Sequence, residues 1–84
     1  MDARIDLAQL SLEQLQEELT RAESSLEDVL EERMFVLGQT GAHLGASKVA
    51  SLRSQWDRDE ATLRARIAAL HSALSVATEA ASRG

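Results

Sequence analysis

Two histidines, His43 and His71, are the side chains best suited by type to bind a metal or move a proton near neutral pH. Their surroundings argue against both tasks. A zinc site needs further ligands at helical-turn spacing, and neither histidine has a histidine or carboxylate three or four residues away. Carboxylates are plentiful from Glu13 to Glu32, but catalytic pairs need burial to split their pKa values. The Glu-x-x-His pattern of di-iron bundles does not occur. Cysteine is absent, which removes thiolate ligands and disulfides together. No serine–histidine arrangement of the nucleophilic kind is found. Neither catalysis, a cofactor nor a metal is expected.

Two constellations remain. Gly45-Ala-Ser47-Lys48 looks superficially like a phosphate-binding loop, yet the Walker order of glycine, four residues, then Gly-Lys-Ser/Thr after a strand is not met. Arg53, Arg58, Arg64 and Arg66 suggest nucleic-acid contacts made by a dimeric bundle through phosphates alone. The formal net charge of −5 works against that reading, because an acidic surface repels a polyanion.

The elements that must position these residues are helices. Of 84 residues, 14 are alanine and 13 leucine, there is no proline, and Phe35 and Trp56 are the two aromatics. Eight arginines stand against one lysine, a usage that fits a GC-rich bacterial or phage genome. No apolar run nears the roughly 20 residues needed to span a bilayer. With no basic and apolar leader visible, a cytoplasmic protein is expected.

Glycines at 38, 41 and 45 mark a connector over 38–46, flanked by two long helical segments of about 12–37 and 47–78. Ser11 and Gln14 form a capping box, with Leu10 and Leu15 as the hydrophobic staple. Gly38 is placed to close the first helix and Ser47 to cap the second. Residues 1–10 read as a leader or short helical cap, and 79–84 as a fraying tail.

Leu12, Leu15, Leu19, Ala22, Leu26, Val29 and Val36 recur at alternating intervals of three and four, a coiled-coil seam broken at Arg33. The second segment repeats Val49, Trp56, Leu63, Leu70 and Ala77 every seven residues, with Arg53 and Glu60 where apolar residues are due. A short connector makes the helices antiparallel neighbours, pairing residues whose numbers sum to about 84. Charge agrees with that pairing. Residues 1–37 hold ten acids and three bases, residues 38–84 four acids and six bases. Glu31 is then expected near Arg53, Glu27 and Asp28 near Arg58, Glu18 near Arg66, and the Trp56 indole near Asp28.

A lone hairpin leaves the groove between its helices open on both sides. Met34-Phe35-Val36-Leu37 is moreover apolar on every side of one turn, which one neighbour cannot cover. Leu30, Met34, Phe35, Leu37, Leu44 and Leu52 are therefore the expected oligomer or partner interface, with Phe35 as its anchor. The reading is an all-α antiparallel hairpin, dimerising into a four-helix bundle and binding a protein partner without enzymatic activity. The alternative is a small nucleic-acid-binding regulator, and no membrane role is expected.

Overall fold

The computed structural model describes residues 7–39 and 45–83. All regular structure among them is helical: a short 3-10 turn at Leu7–Gln9, helix α1 at Leu12–Gln39 and helix α2 at Ala46–Arg83. The two α-helices pack against each other as a hairpin. The outline is a slab of 59 × 28 × 14 Å. Its radius of gyration, 17.3 Å, compares with about 12 Å for a compact chain of this length.

The first helix starts as its residues dictate. The Ser11 N–H donates to Gln14 Oε1 at 2.9 Å, and the Gln14 N–H donates to Ser11 Oγ at 3.1 Å. Two donors that a helix start leaves unpaired are thus satisfied reciprocally. The 3-10 turn brings Leu7 and Leu10 onto the core at the open end of the hairpin.

Three expected boundaries move. Gly38 does not end α1 in a left-handed conformation: the helix runs through it to Gln39, and no described glycine has a positive φ. A glycine inside a helix costs only about 1 kcal/mol against alanine, too little to force a stop. Gly45, rather than Ser47, precedes α2, and its carbonyl accepts the Val49 N–H at 3.0 Å. Glycine serves nearly as well as serine in that place. The second helix does not stop near Thr78 but continues to Arg83. Ala80 and Ala81 are the strongest helix formers, and Ala77 and Ala80 still touch the apolar groove beneath the leader.

The core is small. Leu15, Ala22 and Leu70 form one buried cluster, flanked by Leu19, Ile67, Ala73, Leu74 and Ala77. Trp56 is buried apart from it, toward the connector. Among the described residues no indole bond to Asp28 forms, and no side-chain polar atom is buried without a partner.

Candidate interaction surface

The register is anchored by two ion clusters, each built on one carboxylate shared by two arginines. Glu18 accepts from Arg66 across the hairpin at 2.7 Å and from Arg21, one turn along α1, at 3.1 Å. Glu60 accepts from Arg64 at 2.9 Å and lies 3.5 Å from Arg33, which also donates to Asp57 at 3.1 Å. The Glu18–Arg66 pair sums to 84, as the charge pattern implies. Arg33 pairs at sums of 90 and 93 instead. Glu31, Glu27, Asp28, Arg53 and Arg58 are exposed and make no ion pair among the described residues, so those expected contacts are corrected.

The physical reason lies in the two of the three seam interruptions that are half-buried, the third, Arg53, being exposed. Arg33 and Glu60 occupy positions where an apolar residue is due, so each faces the opposite helix from within the seam. Each charge is half-buried and lies within 3.5 Å of the other, with a closer exposed partner at its side, Asp57 for Arg33 and Arg64 for Glu60. A charge leaving water must find a partner, and this requirement outranks pairings between fully solvated side chains. Two interruptions in facing stripes were the signal that could have revealed the cluster.

The structure divides the expected interface. Met34 and Phe35 are 76% and 63% exposed, while Leu30, Leu37 and Leu52 are half-buried. Leu44 lies outside the described residues, as does His43. At about 100° per residue, Leu30, Met34 and Leu37 share one flank of α1. Phe35 stands about 100° beyond Met34 and roughly 200° round from Arg33, on the outer side of the hairpin. Its neighbours at whole-turn spacing are Glu27, Asp28, Glu31 and Glu32, all exposed. An exposed aromatic ring there is framed by carboxylates. Leu52 instead lines a shallow cleft of about 460 Å³ with Val36, Leu37, Val49 and Arg53.

A second apolar hollow, about 570 Å³, lies at the open end between Leu7, Leu10, Leu12, Ala73, Val76 and Ala80. Leu12 and Val76 are exposed there. His71 is exposed on a cleft shared with Glu23, Glu27 and Arg64. Among the described residues no group of three or more histidines and carboxylates could hold a metal ion.

The four arginines of α2 do not form one face. Arg53 and Arg64 fall within about 20° of each other, whereas Arg58 and Arg66 lie about 140° away from Arg53. Arg64 and Arg66 are also already engaged by Glu60 and Glu18. No helix among the described residues is long and apolar enough to cross a membrane. No protein-family model, curated protein or solved structure matches the chain.

Proposed function

We propose that this chain is a non-enzymatic, oligomerising helical hairpin that works as an interaction or scaffolding module for a protein partner in the cytoplasm. The supporting observation is how little of itself the hairpin covers. It exposes 6418 Å², whereas a compact chain of 9.1 kDa exposes about 4,900 Å². The excess, about 1,500 Å² on one chain, is nearly twice the roughly 800 Å² that each partner contributes to a standard protein–protein interface. Its form is a slab one helix layer thick, which a second layer would cover on one face. The apolar share of that surface includes Met34, Phe35, Leu12 and Val76, on ordered helix rather than on loops.

Light scattering coupled to size exclusion tests the oligomer directly. The expected mass is twice the 9.1 kDa of the chain at micromolar concentration. A monomer at every concentration, still unfolding cooperatively, overturns the proposal. The nucleic-acid alternative lacks a comparable observation, since its four arginines are divided between faces and two are bound by carboxylates.

A further inference from the structure

We infer that α1 pairs antiparallel with the α1 of a second copy, about a twofold axis crossing the helix between Ser24 and Ser25. This rests on the oligomer reading and adds the geometry of the contact. Leu12, Leu19, Leu30 and Leu37 follow one another at intervals of seven, eleven and seven residues. Each interval is within about 20° of a whole number of turns, so the four leucines form one line along α1. The line includes the outer edge of the seam, Leu12 and Leu19, and runs beside the buried Leu15 and Ala22. Its own hairpin leaves it incompletely covered: Leu12 is exposed and the other three are half-buried.

Seven, eleven, seven reads the same from either end. Turned end for end, α1 therefore sets Leu12 against the second copy's Leu37 and Leu19 against its Leu30, and symmetry repeats both contacts. Met34, 76% exposed, comes level with the second copy's Leu15, within a turn of its exposed Leu12. Such an isologous contact requires one patch to complement itself, and a palindromic stripe does so. The occupant is thus a second copy of this chain.

The opposite arrangement, with both connectors at one end and the axis along the bundle, sets the leucine stripe over the second copy's α2. On that side of the hairpin α2 carries Arg64 and His71 around Ile67 and Ala68, beside Glu23, Leu26 and Glu27 of α1. Laying leucines over the ion-paired Arg64 and the His71 ring strips water from polar groups and returns less apolar contact than leucine on leucine. The antiparallel arrangement instead lays leucine on leucine and leaves the polar flank facing its like. Glu23 stands on the stripe's line beside the axis, where its two copies meet and oppose the contact. Most other acids of α1 lie well round from the stripe, so their mutual repulsion is exposed and screened.

The absence of cysteine gives a clean test. Glu23→Cys and Met34→Cys, both at exposed positions, are made singly and labelled with a nitroxide. Distances between labels are then read by pulsed electron resonance on the assembled protein. Around the inferred axis, labels at 23 are offset along the helix by about 5 Å and labels at 34 by about 28 Å. The distance at 34 is expected to exceed that at 23 by about 10 Å or more. Equal distances would mean connectors at the same end, overturning this inference while the dimer stands. No dipolar signal at either position, together with a mass of 9.1 kDa for the unlabelled protein in light scattering, would mean a monomer, and the oligomer reading would fall with it.

Discussion

Leu70→Ala is expected to destabilise the hairpin by about 3 kcal/mol. Leu70 is 0% exposed, so the three carbons removed all come from dry surroundings. At about 0.8 kcal/mol per buried carbon the transfer loss is roughly 2.4 kcal/mol. A cavity adds to this, though less than in a thick core, because two helices can close on each other more readily than many walls can. A chain of 84 residues has a total stability of about 4–13 kcal/mol, so the loss is a large fraction of it. The melting temperature should fall by roughly 12–24 °C, at about 4–8 °C per kcal/mol. Urea and thermal unfolding followed by far-ultraviolet circular dichroism measure this, at one fixed chain concentration because assembly shifts apparent stability. Val76→Ala, 67% exposed on the same helix, is the control and should stay within about 0.5 kcal/mol. Equal effects at the two positions, or a loss at Leu70 below about 1 kcal/mol, would show that α2 presents a different face to α1.

Three further outcomes are expected. Ser11→Ala removes the acceptor for the Gln14 N–H and should cost about 1 kcal/mol in thermal unfolding, with Ser11→Asp retaining most of the stability. Arg33→Glu and Glu60→Arg should each destabilise the fold, and together recover about 0.5–1 kcal/mol in a double-mutant cycle, whereas the same cycle on Glu31 and Arg53 should show no coupling. Phe35→Ala should leave unfolding and dimer mass unchanged, since roughly 125 Å² of the ring still faces water. That area, worth about 3 kcal/mol at about 25 cal/mol/Å², is lost only where a protein partner covers the ring. A fall in hairpin stability above about 1 kcal/mol would show that the ring is already covered by its own chain.

Legibility in the sequence followed the range of the interaction concerned. The capping box involves residues three apart whose side chains reach only each other, so it was readable from spacing alone. The seam was nearly as plain, because seven-residue recurrence of Trp56, Leu63 and Leu70 tolerates only one facing direction. Helix ends were less legible. Gly38 and Ser47 each carry preferences of about 1 kcal/mol, comparable with the neighbouring alternatives, so continued hydrogen bonding decided the outcome. The ion pairs were legible only in part. Long arginine side chains reach several carboxylates from one backbone position, and a count of charges cannot choose among them. Burial chose, and it favoured the pair inside the seam over those at its edges.

The two halves of the hairpin are consequently held by different means. Toward the open end, Leu15, Ala22 and Leu70 pack under Leu7 and Leu10. Toward the connector, the seam contains Trp56 and the Arg33–Asp57–Glu60–Arg64 cluster, and the apolar cluster does not extend there. A polar cluster fixes register more firmly than it adds stability, because the cost of removing charge from water offsets most of the attraction. Among the described residues the connector half has one buried apolar residue, Trp56, against Leu15, Ala22 and Leu70 toward the open end. It is also the half that exposes Met34 and Phe35 on well-formed helix. Stability missing on the inside and apolar surface offered on the outside coincide along the same turns of α1. A second molecule covering those turns would supply the burial that the seam there lacks, which is the physical case for a hairpin that completes itself by binding.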